Sequence, residues 1–295
     1  MRGFYSDVFV LPLPEGHRFP MGKYARLRER VQAELPQIEL EPAPAASDRE
    51  ILRAHDAQWL AQVKSGSVPA PRLREIGFPW SPQMVERSRR SSGATIAACR
   101  AALADGTAAN LAGGTHHAQR SRGGGYCVFN DAAIAALAMQ AQGCARRVVI
   151  IDCDVHQGDG TAQILAGDPS VFTLSLHGRH NYPFVKQASD LDVEFDDGTG
   201  DAAYLAALDD ALDRALAAAR ADLAIYLAGA DPYRDDRLGR LALTRAGLAA
   251  RDRLVFGRCA QAGLAVAVCM AGGYAREIED TVDIHLSTLR IAAGG

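Results

Sequence analysis

The sequence predicts an α/β fold, an open and mostly parallel sheet with helices on both faces, forming a single domain over residues 1–295. Three observations predict it. Short continuous apolar runs end in Gly, Asp or His, the pattern of strands buried on both faces. Each run is followed by helical patterning, and strand alternating with helix is how parallel sheets are built. Composition agrees: 48% apolar and 23% charged residues are ordinary for a globular domain and enough for a large core.

Taken in order, residues 1–46 carry Pro12, Pro14, Pro20, Pro36, Pro42 and Pro44 and read as an irregular segment packed on the domain, interrupted by a short helix over 24–34. Ser47-Asp-Arg-Glu50 has capping-box spacing, so a helix begins there. Ser81-Pro-Gln opens another that runs through Met84, Val85 and Ile96. Helices therefore dominate before residue 105. The clearest strands follow at 148–152, 171–176, 223–228 and 264–270, with crossover helices at 160–165, 201–220 and 244–262. No internal repeat or interdomain linker interrupts this order.

The charge balance excludes some functions. A net charge of -3 from 32 basic and 35 acidic side chains, interspersed along the chain, leaves no basic stripe to follow a phosphate backbone, so nucleic acid is not an expected partner. Arg87, Arg89 and Arg90 read as a solvated helix face. The six cysteines contain no Cys-x-x-Cys pair, which argues against a disulfide framework and against a cysteine zinc site. The first residues lack a signal-type apolar core, and no stretch approaches the roughly 20 apolar residues that span a bilayer. A reducing cytoplasm is the expected location, with no membrane partner.

In open α/β sheets, ligands bind outside the carboxyl ends of the strands. There the sequence places Ile151-Asp-Cys-Asp-Val-His-Gln-Gly-Asp-Gly160, with three carboxylates and one imidazole. Buried carboxylates are costly unless paired or metal-bound, so Asp152, Asp154 and His156 point to a cation, and their oxygen and nitrogen donors suit zinc, iron, cobalt or manganese. Helix capping accounts for one of these aspartates but not for a His between two of them. Ala228-Gly-Ala-Asp-Pro-Tyr233 offers one more carboxylate, Asp231, which on its own reads rather as an Asp-Pro turn but with Asp154 and His156 would complete an open three-ligand set. Gly113-Gly-Thr-His-His117 can present two imidazoles to one pocket, where a neutral His takes a proton from an activated water; Asp152 and Asp159 are spare acids able to fix the tautomers. After the last strand, Ala271-Gly-Gly-Tyr274 allows a sharp turn and a phenol that can donate to an oxyanion. His17, His55 and His285 read as structural, whereas His177 and His180 follow a strand and are placed at the pocket mouth.

Together these segments resemble the histone deacetylase superfamily, which also includes acetylpolyamine amidohydrolases and acetoin-utilisation proteins. The matching stretches are Gly113-Gly-Thr-His-His117, Gly125-Tyr-Cys-Val-Phe-Asn-Asp131, Ile151–Gly160, Gly229-Ala-Asp-Pro232 with Asp236-Arg-Leu-Gly239, and Gly272-Gly-Tyr274, in the family's order from about Phe19 onward. The resemblance implies the arginase/deacetylase fold and zinc on Asp154, His156 and Asp231, with iron(II) or cobalt(II) as substitutes. It implies His117, backed by Asp159, as general base and then acid, His116 with Asp152 as electrostatic support, and Tyr274 as oxyanion donor. Gly125 takes the place of a backbone acceptor for the substrate amide and Tyr126 that of a tunnel-wall aromatic. His180-Asn-Tyr-Pro183 looks most like the class IV branch and its bacterial relatives, which brings His180 and Tyr182 to the substrate. A structural potassium near Asp152, Asp154, His156, Ser175 and Leu176 belongs to the same pattern. Two departures stand out: Gln157 replaces a frequent second His, and Gln119-Arg-Ser-Arg122 is more basic than the family pattern.

The expected function is hydrolysis of N-acyl amides, acetyl or longer, on lysine side chains of a protein or peptide. Three alternatives remain at this level. One is a small acylated amine such as an acetylpolyamine as substrate, which the basic Arg120 and Arg122 disfavour. Another is a non-catalytic acyl-lysine-binding module, opposed by the completeness of the chemical groups. The last is an arginase-like two-manganese hydrolase, for which the second loop lacks a further acid.

Overall fold

Every pairing in the eight-stranded sheet is parallel, and its order is β2-β1-β3-β8-β7-β4-β5-β6. The computed structural model describes residues 1–294. The strands are β1 Arg2–Tyr5, β2 Glu39–Pro42, β3 Thr107–Asn110, β4 Val148–Asp152, β5 Val171–Gly178, β6 Leu191–Phe195, β7 Leu223–Leu227 and β8 Ala265–Cys269. The helices are α1 Gly22–Glu34, α2 Asp48–Ile51, α3 Ala57–Ser65, α4 Ala70–Ile76, α5 Pro82–Asp105, α6 Asp131–Ala141, α7 Asp159–Leu165, α8 Asp201–Ala219, α9 Arg245–Gln261 and α10 Ile278–Ala292. The expected single-domain α/β class holds.

The sheet divides the core into two layers because successive strand side chains face opposite ways. Val148 and Ile150 of β4 pack with Ile96 of α5 and Ile134 of α6, while Val149 and Ile151 pack with Leu27 of α1, Leu208 of α8 and Leu248 of α9. Burial on both faces explains why β4 reads as an unbroken apolar run. The capping box forms as expected: Glu50 N donates to Ser47 Oγ, and Ser47 N donates to Glu50 Oε2 at 2.8 Å. Ser81 likewise accepts from Met84 N at the start of α5.

Residues 1–46 differ from the expectation of an irregular segment: they supply β1 and β2, which extend the sheet beyond β3. Arg87, Arg89 and Arg90 are likewise not a solvated face. Arg87 is buried and donates to Ser6 O and Phe9 O, Arg89 to Ala46 O, and Arg90 to Ala43 O. Three guanidinium forks thereby satisfy carbonyls that the Pro-marked segment leaves without ladder partners. No helix among the described residues is long and apolar enough to cross a membrane.

His55 ties the fold to the loops that bear the His pair. Its Nδ1 donates to Gln119 O and its Nε2 accepts from Asn130 N, both at 2.9 Å, so only the neutral ring fits. Burial accordingly pulls its pKa down to about 4 from an ordinary 6.5. Above pH 6.5 the ring is neutral whether folded or unfolded; as pH falls from there toward 4, the unfolded chain binds a proton that the folded one refuses. Folding stability is therefore expected to drop across this window by up to about 3 kcal/mol from this group. Urea unfolding at a series of pH values checks it, with His55→Gln flattening the slope.

Candidate active site

The chemistry collects where β3, β4, β7 and β8 end. Asp154 and His156 lie in the turn after β4, and Asp231 in the turn after β7; each offers one ligand atom, all within 4.8 Å of one another. His156 Nδ1 is 2.9 Å from Asp154 Oδ1 and 3.4 Å from Asp231 Oδ2. Asp154 Oδ2 accepts from Gly272 N at 2.8 Å, and Asp231 Oδ1 from Val155 N at 2.9 Å. Asp231 Oδ2 is buried with no hydrogen-bond donor. Burial, then the Asp154 charge beside it, raises Asp231 to about 7. Two buried carboxylates this close, one with an orphaned oxygen, form a donor set that a divalent cation completes. Gly272 is required here, since a Cβ at that position would overlap Asp231 Oδ2.

The turn after β3 brings in the His pair, whose rings lie 4.2 Å apart. His116 Nδ1 meets Asp152 Oδ2 at 2.6 Å, and His117 Nδ1 meets Asp159 Oδ1 at 2.6 Å. Their protonation states separate. Burial opposes a charge on His116, but Asp152 and then Asp154 outweigh it and raise the ring to about 9. Burial and the neighbouring His116 charge lower His117 to about 4 despite Asp159. The surroundings thus favour charge on His116 and neutrality on His117, whose Nε2 is unbonded. Its ring is 5.8 Å from that of His156.

Around these groups lies a cleft of about 420 Å³ lined by Phe19, Gly125, Tyr126, His180, Tyr182 and Tyr274, among others. Gly125 sits at φ +50°, and a Cβ there would lie 2.5 Å from His117 Cδ2, so glycine is what allows the imidazole its place. Tyr126 follows at φ +65°, a strained conformation for a bulky residue, fixed by its N–H on Ile76 O at 2.7 Å. Tyr182 stands edge-on to His117 at 4.8 Å. His180 is exposed at the mouth, 3.2 Å from Asp197. His177 is the exception among the expected mouth residues: it is buried inside β5, with Nδ1 3.0 Å from Ser175 Oγ, because strand alternation turns it inward.

Tyr274 lines the same cleft, its N–H donating to Asp236 Oδ2 at 2.6 Å. Burial, then Asp231, lifts its phenol well above the ordinary range, so it stays a donor. Three supporting groups escape sequence reading. Lys23 is buried with Nζ on Ala271 O and Gly273 O at 3.4 and 3.2 Å, and lies 5.3 Å from the Tyr274 ring centre. Arg251, also buried, bridges the two ligand-bearing turns by donating to Cys153 O and Gly229 O. Gln119 donates to Asp159 Oδ2 at 3.0 Å, behind His117. Lys23 lies just after Phe19, where the family resemblance begins, and Gln119 opens the Gln119-Arg-Ser-Arg122 run that departs from it; Arg251 carried no signal.

Fold and site together define a metal-dependent amidohydrolase. A family model for the histone deacetylase domain matches residues 17–289. An uncharacterised protein of Picosynechococcus sp. is 43% identical over 284 residues, covering 95% of this chain and 94% of that protein. Histone deacetylase 2 of Arabidopsis thaliana is 30% identical over 293 residues, covering 94% of this chain and 76% of that one. A solved histone deacetylase homologue complexed with SAHA shares the fold at a TM-score of 0.85 and 23% identity, covering 99% of this chain and 83% of its own. The chain belongs to the histone deacetylase family.

Proposed function

We propose that this protein removes acyl groups, acetyl or longer, from lysine side chains of proteins or peptides, using zinc held by Asp154, His156 and Asp231. The observation that carries the reading is the juxtaposition of that three-ligand cluster with His117, whose Nδ1 is committed to Asp159 and whose Nε2 is free. When bound, zinc, or iron(II) or cobalt(II) on the same donors, supplies a Lewis acid for the amide carbonyl and for water.

The remaining steps belong to the chain. Neutral His117 takes a proton at Nε2 from the attacking water and later gives it to the leaving lysine nitrogen, while Asp159 keeps the ring oriented. Cationic His116, anchored by Asp152, steadies the negative charge that develops. The Tyr274 phenol donates to the tetrahedral oxyanion. Tyr126 and Tyr182 flank the acyl-lysine stem and exclude water, Gly125 O accepts from the substrate amide, and His180 meets the polypeptide at the mouth. A structural potassium fits the neighbourhood of Asp152, Asp154, His156, Ser175 and Leu176, since Asp152 and Ser175 are register partners. The whole of 1–295 serves as one catalytic domain, working in the reducing cytoplasm that six free thiols suit.

The test is an acyl-length series on one lysine peptide, with acetylspermidine as comparator and metal content measured in parallel. Carboxylate release with one metal per chain is expected. No turnover of any acyl length by metal-replete protein would sink the reading. Lys23 adds a second expectation: Lys23→Met should lower kcat about tenfold with little change in KM or metal content, because it frees the Ala271 and Gly273 carbonyls that hold Tyr274 in place. Steady-state kinetics with metal analysis checks it.

A further inference from the structure

The mouth of the cleft carries features that acyl-lysine chemistry does not require. Phe184 and Val185 are 83% and 79% exposed, and Tyr182 beside them 39%. They form a raised apolar lip, and Phe184 lines the opening. The lip is held rather than loose. Lys186 Nζ donates to Asn181 O and Pro183 O at 2.6 Å, Asn181 Nδ2 donates to Leu238 O at 2.8 Å, and Gln187 is tied through both its N–H and its carbonyl to Gln157. Anchors on both sides therefore keep two large apolar side chains in water, where burial would favour them.

Among the described residues around the opening, Arg74 is the charge left without a partner. Arg74 and Arg240 line it, and Arg74 is exposed and makes no ion pair among the described residues. Glu75, the acid at the mouth, is neutralised by Arg72 at 2.7 Å. Asp197 is shared by Arg240 at 3.1 Å and His180 at 3.2 Å.

We infer that the lip and Arg74 form a docking surface for the polypeptide flanking the acyl-lysine, selecting an apolar side chain next to the modified lysine and an acidic one within reach of Arg74. This rests on the proposed deacylase reading. The surface is continuous with the cleft that admits the acyl-lysine stem, so the occupant is the rest of the same substrate. A free acylated polyamine would leave Phe184 uncovered and would meet unopposed positive charge.

The experiment compares kcat/KM for free Nε-acetyl-lysine and three acetyl-lysine peptides: apolar with acidic flank, apolar with basic flank, and glycine flanks. The wild type is expected to prefer the first. Phe184→Ser should lower kcat/KM for apolar-flanked peptides about tenfold while sparing free acetyl-lysine. Arg74→Glu should reverse the preference between acidic and basic flanks, by about threefold in each direction. Equal kcat/KM for all three peptides, or no effect of Phe184→Ser, overturns the docking surface while hydrolysis of free acetyl-lysine leaves the deacylase reading standing. No hydrolysis of any acetyl-lysine compound overturns both.

Discussion

Asp231→Asn is expected to purify without stoichiometric metal and to lose activity on the order of 10³-fold or more, since the Lewis acid is worth several kcal/mol of transition-state stabilisation. The substitution keeps the acceptor for Val155 N and removes only charge. It therefore separates two roles of the carboxylate. In metal-free wild type at pH 8, burial first and the repulsion of the Asp154 charge second make the ionised Asp231 costly, which is what lifts it to about 7. Removing the charge relieves that repulsion, so the metal-free variant should melt at a higher temperature than metal-free wild type. Added zinc should raise the melting temperature of wild type and leave the variant almost unmoved. Equal zinc stabilisation of both proteins would take Asp231 out of the metal site.

Tyr274→Phe carries the second large effect. The ring stays in its packing beside Tyr126, 5.9 Å away, and under the Lys23 ammonium, so only the phenol oxygen is lost. A missing oxyanion donor typically costs about 10² to 10³ in kcat. Metal content and KM should stay close to wild type, because the phenol is not part of the Asp154, His156 and Asp231 cluster proposed to hold the metal. Stopped-assay kinetics with metal analysis reads both, and unchanged kcat would remove Tyr274 from the chemistry.

Legibility in the sequence followed burial. β4, β7 and β8 are covered on both faces and read as apolar runs, so their ends, and with them Asp154, His156 and the Gly-Gly-Tyr turn, could be placed. β2 and β6 are short edge strands with partly exposed, charge-bearing sequences, Glu-Leu-Glu-Pro and Leu-Asp-Val-Glu-Phe, which give no such signal. β1 and β3 have four residues each, too few for a period to show. The supporting groups were out of reach for another reason. Lys23 meets carbonyls 248 and 250 positions away, and Arg251 one 98 positions away, and periodicity carries no record of such contacts. Arg87, Arg89 and Arg90 were misread because their acceptors belong to a segment whose course no local pattern describes.

Gln157 gives the lip a consequence for protein engineering. It is the residue immediately after His156, and its side-chain amide grips Gln187 at both ends, at 2.6 and 2.9 Å. Gln157 thus joins the segment that presents Phe184 to the turn that carries His156. Under the proposed metal site and docking surface, exchanges confined to residues 182–185 should retarget the enzyme and leave His156 in place, whereas a graft that cuts past 187 should shift it. A library confined to the first region and one spanning both should therefore differ in how many members still bind zinc.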